Sequence, residues 1–149
     1  WTLSRRKPVA EEAAAPAANY VPFVISGSHL YISGQLPMEN GKVAVTGHLG
    51  DGVDVATGQR AAELCAINIL AQAKAALGGD LSRIRRIVKL NGFIASKPTF
   101  VEQHLVMNGA SNLIAKVLGD AGIHARAAVG MASLPFNAAV EIDAVIEIA

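Results

Sequence analysis

The sequence predicts an α+β domain in which one mixed β-sheet carries two helices on one face. The prediction rests on two stretches with helical period, on shorter apolar stretches typical of strands, and on glycine-rich breaks between them. In chain order the elements are β-β-β-α-β-α-β-β, which favours helices packed on one sheet over separate layers or repeats. With 149 residues, 52% of them hydrophobic, the chain is long enough to bury a single core.

The first third of the chain predicts an arm followed by strands. Residues 1–19 are polar and then rich in Ala and Pro, so we expect an N-terminal arm ahead of a single domain over residues 20–149. "YVPFVIS" (20–26) and "HLYISGQLP" (29–37) predict two strands joined by a tight turn. "GKVAVTGHLGDG" (41–52) predicts a short strand and a glycine-rich loop.

A helix is predicted over residues 56–77, ended by Gly78 and Gly79. Its apolar stripe contains Cys65, which is therefore expected to be a core residue and not a nucleophile. The residues of this helical stripe are Ala62, Cys65, Ala66, Ile69, Ala73, Ala76 and Leu77.

The stretch after this helix, "IRRIVKLNGFIAS" (84–96), predicts a strand.

A second helix is predicted from Pro98 to about Leu118, with Ser96 as a candidate cap. Two strands, "RAAVGMASL" (126–134) and "AAVEIDAVIEIA" (138–149), are expected to finish the chain.

We expect these last two strands to form a hairpin around a two-residue turn at 135–136, which sets Arg126 opposite Val145. Alternation then gives each strand an apolar and a polar side. Predicted to pack under the helices are Ala127, Val129, Met131, Val140, Ile142, Ala144 and Ile146. Predicted for the other face are Arg126, Ala128, Gly130, Glu141, Asp143 and Glu147. Arg126 and Glu141 would then lie roughly 13 Å apart on one face, so only a neighbouring subunit could bring them together.

Composition argues against several classes of function. A net charge of +1 leaves no general electrostatic footprint for nucleic acid, and the densest basic cluster, Arg83, Arg85, Arg86 and Lys89, is interpreted as a solvated face. The four histidines and one cysteine lack metal-ligand spacing. The chain has no apolar run of membrane-spanning length and no signal-peptide pattern, and a lone cysteine fits a reducing compartment, so we expect a cytoplasmic protein.

Arg126 is the residue that most needs a partner, because arginine keeps its charge at ordinary pH. It could form an ion pair between subunits, or its planar guanidinium could hold a carboxylate through two parallel hydrogen bonds. The residues alone indicate an oligomeric α+β domain with an anion site and leave these alternatives open.

Three stretches together resemble the Rid family of reactive-intermediate (imine) deaminases, formerly called YjgF. They are "ANYVPFVISGSHLYISGQLP" (18–37), "AINILAQAKAALGGDLSRIRRIVKLNGFIAS" (66–96) and "HARAAVGMASLPFNAAVEIDAVIEI" (124–148). The resemblance covers residues 18–149. It implies a chorismate-mutase-like fold and a homotrimer, with the sheets forming a central barrel and three clefts between subunits.

The resemblance also implies an activity: hydrolysis of enamines and imines such as 2-aminoacrylate to 2-keto acids and ammonia, with no metal or organic cofactor. Arg126 matches the arginine that clamps the substrate carboxylate, and Glu141 matches the acid that orients the attacking water. The remaining matches to substrate-binding positions are Tyr20, Ser33, Gly34, Asn108 and the backbone N–H of Ala128.

The sequence departs from the family pattern in two places. Ala128 stands where many members carry a reactive cysteine, and "HLGDGVDVATG" lengthens the loop before the first helix. A non-catalytic 2-keto acid binder or sensor therefore remains an alternative to the deaminase. An endoribonuclease, which the family's older label suggests, is disfavoured by the missing cationic track, the 5% aromatic content and the absence of paired catalytic histidines.

Overall fold

Two long helices and a five-stranded sheet make up most of the structure, a computed structural model that describes Ala13 and residues 19–149. Most of the predicted arm over residues 1–19 lies outside the described residues. The helices are α1 (Val55–Ala76) and α2 (Gln103–Leu118). The strands are β1 (Phe23–Ser26), β2 (His29–Gln35), β3 (Met38–Glu39), β4 (Lys42–Val43), β5 (His48–Leu49), β6 (Gly52–Val53), β7 (Ile84–Ala95), β8 (Ala125–Met131) and β9 (Val140–Ile148).

The main sheet has the strand order β1-β2-β9-β7-β8. Strands β7 and β8 are parallel, whereas the other neighbours are antiparallel. Helix α1 packs on β9 and β2, and α2 packs on α1 and β8, so both helices cover the same face. The predicted fold class, a mixed sheet with two helices on one side, is confirmed.

Helix α1 matches its prediction closely because the signals at its ends are local. The Asp54 carboxylate accepts a hydrogen bond of 2.8 Å from the Thr57 amide, which caps the first turn. Gly78, with φ of +65°, takes the left-handed conformation just past the last turn. Cys65 is fully buried in the core, as its place in the apolar stripe predicted.

The predicted start of α2 is wrong by about one turn. The helix begins at Gln103 and not at Pro98, and its N-cap residue, Glu102, makes no side-chain capping bond. The Ser96 hydroxyl instead donates to the carbonyl of Ile94. The segment between Ser96 and Gln103 is a turn, in which the Phe100 amide donates to the Lys97 carbonyl.

The predicted hairpin of the last two strands is also wrong. Strand β7 lies between β8 and β9, so the two do not pair. The connection from Met131 to Val140 passes the end of β7, where the Ser96 amide donates to the Met131 carbonyl and the Ala95 amide to the Ala139 carbonyl. Residues 135–137 form a short 3₁₀ turn within this crossover instead of a two-residue hairpin turn.

Because β7 separates them, β8 and β9 have a different register from the one predicted. Leu90 of β7 pairs with Arg126 on one side and with Ala144 on the other, so Arg126 is level with Ala144 and not with Val145. A shift of one residue exchanges the two faces of a strand. The face assignments for β9 are confirmed, but those for β8 are reversed, and Arg126 and Ala128 point toward the helices.

The sheet face opposite the helices carries uncovered apolar side chains. Val24, Tyr31 and Val129 are 48%, 45% and 46% exposed, and Met131 lies beyond Val129 on the same side of β8. Exposed apolar side chains at both edges of a sheet face are consistent with an interaction face. No helix or strand of residues 19–149 covers this face.

The two helices approach each other closely at Gly109. A β-carbon at this position would overlap the Gln59 carbonyl oxygen and lie 2.9 Å from the Gln59 carbonyl carbon. Since these are backbone atoms, they cannot move aside without shifting α1. Glycine is therefore the residue that permits this helix packing.

We predict that Gly109→Ala destabilises the fold by about 1–3 kcal/mol, because overpacking outweighs the gain in helix propensity of about 1 kcal/mol. Asn112→Ala is the matched control, since Asn112 is exposed on the same helix and should gain a few tenths of a kcal/mol. Urea unfolding of both variants measures the difference. Equal stabilisation by the two alanines would contradict this helix contact.

Candidate functional site

Arg126 lies on edge strand β8 with its side chain laid against α2. Its Nη1 donates a hydrogen bond of 3.0 Å to the Ser111 hydroxyl, and its Nη2 donates one of 3.1 Å to the carbonyl oxygen of His104. Both partners are neutral, so the charge is held in place without being neutralised. Three of the five guanidinium N–H donors are left after these two bonds.

Asn108 belongs to the same helical face as the two groups that bind Arg126. It lies four residues after His104 and three before Ser111, and these spacings place all three on one side of α2. The structure therefore brings Asn108 and Arg126 to the same edge of the molecule.

Ala128 offers its backbone to the open edge of the sheet. The Met131 carbonyl points toward β7, where it accepts from Ser96, and the polar groups of successive residues point to alternate sides of a strand. The amides of Arg126, Ala128 and Gly130 therefore point away from β7. The Ala128 N–H is a donor on the same edge as the Arg126 side chain.

Glu141 lies on the opposite face of the sheet, in β9, with its carboxylate over the α-carbon of Gly34. A β-carbon at residue 34 would overlap the Glu141 Oε2 atom and lie 2.9 Å from its Cδ atom, so only glycine allows this approach. Burial raises the pKa of the Glu141 carboxyl above its ordinary value, and the negative charge of Asp143 raises it further. A carboxyl in this position can accept and return a proton nearer neutral pH than an exposed one.

Ser33 and Tyr20 lie toward the β1 side of Glu141. The Ser33 hydroxyl donates a 2.8 Å hydrogen bond to the Val21 carbonyl, and its amide donates one of 3.0 Å to the Pro22 carbonyl. Gly34 follows Ser33 in a bulge of β2, where the pairing with β9 shifts register between Ile32 and Gln35. The bulge turns Gly34 toward Glu141, and Tyr20 is exposed just before β1.

The predicted site residues thus form two clusters within one chain. We call them the arginine cluster (Arg126, Ala128, Asn108) and the glutamate cluster (Glu141, Gly34, Ser33, Tyr20). Strand β8 is two strands from β9, roughly 10 Å, and the side chains of Arg126 and Glu141 point to opposite faces of the sheet. The prediction that both share one face is wrong, and the two clusters cannot meet inside a single chain.

Ser111, which contacts Arg126, and His124, which contacts Ser111, were not predicted from the sequence. Ser111 Oγ and His124 Nε2 are 2.9 Å apart, and His124 Nδ1 is 2.6 Å from the carbonyl oxygen of Gly122. The only signal in the sequence was that His124 and Arg126 are two residues apart and so share a side of an extended chain. Ser111 gave no such signal, because its closeness to β8 depends on the packing of α2.

The longer loop before α1 is an ordered part of the fold. Leu49 is fully buried, and its carbonyl accepts a 3.1 Å hydrogen bond from the Lys97 amide. His48 donates through Nε2 to the Ala132 carbonyl at 2.7 Å. The loop therefore ties the segment after β7 to the segment after β8, at the end of the edge strand that carries Arg126.

In the described part of the chain, no cluster of three or more His, Cys, Asp or Glu is placed to hold a metal ion. Cys65 lies in the core, where burial and the nearby Glu141 charge raise the pKa of its thiol well above the ordinary value. None of the described helices is long and apolar enough to cross a membrane.

Two helices on one face of this mixed sheet define a YjgF/chorismate-mutase-like fold. The model of the family described as "YjgF/chorismate_mutase-like, putative endoribonuclease" matches residues 7–148. The chain belongs to the YjgF/RidA family, as its resemblance predicted.

Three comparisons illustrate this membership. Protein TCP17 of Trypanosoma cruzi is 54% identical over 137 residues, which cover 91% of this chain and 85% of that protein. The crystal structure of Atu1372 from Agrobacterium tumefaciens, described as of unknown function, is 76% identical with a TM-score of 0.88, covering 91% of this chain and 86% of its own. RidA from the Antarctic bacterium Psychrobacter is 29% identical with a TM-score of 0.63, covering 91% and 94%.

We predict that Glu141→Gln gains stability relative to the wild type as the pH rises. Unfolded chains ionise Glu141 near its ordinary value of 4.5, whereas the folded chain holds the proton to higher pH. The wild-type free energy of unfolding therefore loses a contribution as the pH rises from about 4.5 through the folded pKa. The neutral amide removes this loss, so the variant's advantage should appear at pH 7 and vanish at pH 4.

Urea unfolding at pH 4 and pH 7 measures this advantage. Glu147→Gln, further along β9 on the same face, is the control for removing one negative charge. The claim that folding raises the pKa of Glu141 would be contradicted by either of two results. One is a gain in unfolding free energy for Glu141→Gln that does not change with pH, and the other is the same gain for Glu147→Gln.

Proposed function

We propose that this protein hydrolyses enamine and imine intermediates, such as 2-aminoacrylate, to 2-keto acids and ammonia at a site formed between copies of the chain. The single observation that carries the proposal is the division of the site residues into two clusters on opposite faces of one sheet. Each cluster holds half of what the reaction needs, and a second copy is the simplest source of the other half.

The arginine cluster supplies a carboxylate-binding half-site. The guanidinium is fixed at two points and keeps three donors, which suits two parallel hydrogen bonds to a carboxylate. The Ala128 amide adds a donor on the same open edge. Because no described strand pairs with this edge, another subunit can approach it directly.

The glutamate cluster supplies the proton-transfer half-site. The Glu141 carboxylate lies against the Gly34 backbone, and no described residue donates a hydrogen bond to it. Its raised pKa favours a group that removes a proton from water and later returns one.

The proposed chemistry needs only these groups. 2-Aminoacrylate first becomes the imine when a proton moves from its nitrogen to its terminal carbon. Glu141 then takes a proton from water as the water oxygen attacks the imine carbon, the electron pair of the C=N bond moves to nitrogen, and Glu141 passes its proton to that nitrogen. In the resulting carbinolamine Glu141 moves the hydroxyl proton to the amino group, so the C–N bond breaks, ammonia leaves and the carbon–oxygen bond becomes a carbonyl. An imine is already electrophilic, so positioning and proton transfer supply the catalysis.

A homotrimer is part of the proposal. The open sheet face, with its uncovered Val24, Tyr31, Val129 and Met131, fits a second and third copy packed around a shared axis. This arrangement would cover the apolar face and bring the β8 edge of one copy toward the β1–β2 side of the next.

Keto-acid binding without catalysis and RNA cleavage remain competing functions. The half-buried Glu141 favours the deaminase over a pure binder, because an acid near a bound anion weakens binding and has a use in moving protons. Two cations of the densest basic cluster bind backbone carbonyls: Arg83 that of Ala149 and Arg86 that of Ile123. These bonds occupy guanidinium N–H donors that phosphate contacts would need.

We predict that Arg126→Lys weakens 2-ketobutyrate binding by about ten- to a hundredfold, equal to about 1.5–3 kcal/mol, because lysine keeps the charge but loses the planar fork. Glu141→Gln should retain binding and slow imine hydrolysis. Calorimetric titration measures the first effect, and an assay with enzymatically generated 2-aminoacrylate measures the second.

The oligomeric state of every variant serves as the control, measured by light scattering. Loss of the oligomer in Arg126→Lys with unchanged keto-acid affinity would make Arg126 an interface ion pair and not a clamp. Binding without hydrolysis in the wild type would favour the sensor, and cleavage of RNA by the wild type but not by Arg126→Lys would favour the nuclease.

A further inference from the structure

A chain of hydrogen bonds ends on Arg126 from the side of α2. His124 Nδ1 is 2.6 Å from the Gly122 carbonyl oxygen, His124 Nε2 is 2.9 Å from Ser111 Oγ, and Ser111 Oγ is 3.0 Å from Arg126 Nη1. A second contact, of 3.1 Å, joins Arg126 Nη2 to the His104 carbonyl. The resemblance to the family assigned no role to Ser111 or His124.

The direction of every bond in this chain follows from its two ends. A carbonyl oxygen can only accept, so the ring proton of neutral His124 lies on Nδ1. Nε2 is then an acceptor, and the Ser111 hydroxyl donates to it. A guanidinium can only donate, so a lone pair of Ser111 Oγ accepts the hydrogen bond from Arg126 Nη1. The opposite tautomer would set a nitrogen lone pair against the Gly122 oxygen and take away the acceptor of the Ser111 proton.

We propose that Ser111 and His124 are positioning residues that hold the Arg126 guanidinium ready for a carboxylate. This inference rests on the proposed function, in which Arg126 binds the substrate carboxylate. An arginine side chain has many rotamers, and fixing it before the ligand arrives removes that ordering cost from binding. The two contacts fix the plane of the fork while leaving three N–H groups for the ligand.

The proposal predicts a binding defect with an unchanged chemical step. Ser111→Ala should weaken 2-ketobutyrate binding about three- to tenfold. The variant loses the hydrogen bond from Arg126 to the Ser111 hydroxyl, and a water molecule replaces that bond in part. KM for the imine should rise by a similar factor with kcat nearly unchanged, because the carboxylate contact is equal in the ground and transition states. Ser111→Thr, which keeps the hydroxyl, should restore most of the affinity.

The chain of hydrogen bonds also predicts that substitutions at Ser111, His124 and Arg126 have non-additive effects on binding. His124→Leu should weaken binding about as much as Ser111→Ala, and the two together should cost little more than either one. In an Arg126→Ala background Ser111→Ala should have no further effect. Ser82→Ala is the matched control, because Ser82 bonds to Asp80 far from Arg126 and should bind the keto acid as the wild type does.

A second measurement reports on Arg126 without any ligand. In ¹⁵N relaxation experiments the Arg126 Nε–H group should be ordered in the wild type, in Ser82→Ala and in Ser111→Thr, and more mobile in Ser111→Ala. The ¹⁵N shifts of the His124 ring should show the proton on Nδ1. The opposite tautomer, or an Arg126 equally ordered in Ser111→Ala, would overturn the proposal.

Failure of this proposal differs from failure of the proposed function. If the wild type neither binds the keto acid nor hydrolyses the imine, yet Ser111→Ala frees Arg126, the function is wrong and the positioning holds. If the wild type binds and Ser111→Ala binds equally well, the positioning is wrong and the function stands. Covalent labelling of Ser111 by a fluorophosphonate would make it a nucleophile activated by His124 and would overturn the positioning role.

Discussion

Strand β7 pairs with β9 on one side and, in parallel, with β8 on the other, and the placement of both clusters depends on this double pairing. It puts β8 at the edge of the sheet, where the amides of Arg126 and Ala128 have no partner among the described strands. It also sets the register through Leu90, so that Arg126 faces the helices while Glu141 faces the open side. A direct β8–β9 hairpin would have joined the clusters on one face and removed the free edge.

Two glycines allow close approaches to the backbone that fix the positions of the side chains in the two clusters. Gly109 lets α2 lie against the backbone of α1, which sets the distance from α2 to β8 and hence the contacts of Ser111 and the His104 carbonyl with Arg126. Gly34 lets the Glu141 carboxylate approach the β2 backbone. Gly109 is thus required by backbone packing, whereas Gly34 is required only for this position of the Glu141 carboxylate.

The sequence predicted those features that depend on nearby residues. The period of α1, its glycine stop and the alternation of β9 are local, and they were correct. The first two strands pair across their tight turn as predicted. The predicted pairing of the last two strands was wrong, because alternation shows which residues share a face but not which strand lies alongside. Pro135 suggested a tight turn, whereas the crossover past β7 depends on contacts with Ser96 and Ala139 that no local pattern reveals. The choice of site residues came from the family resemblance, and the Ser111–His124 chain required the packing of α2 against β8.

The central claim is that the arginine and glutamate clusters of one site come from different chains. Mixed oligomers of Arg126→Lys and Glu141→Gln, formed by unfolding and refolding the two variants together, test it most directly by their rate of imine hydrolysis. Random assortment around a closed ring leaves about one site in four with both native residues, so the mixture should regain about a quarter of wild-type activity although each variant alone is impaired. A mixture no more active than the average of the two separate variants would contradict the claim.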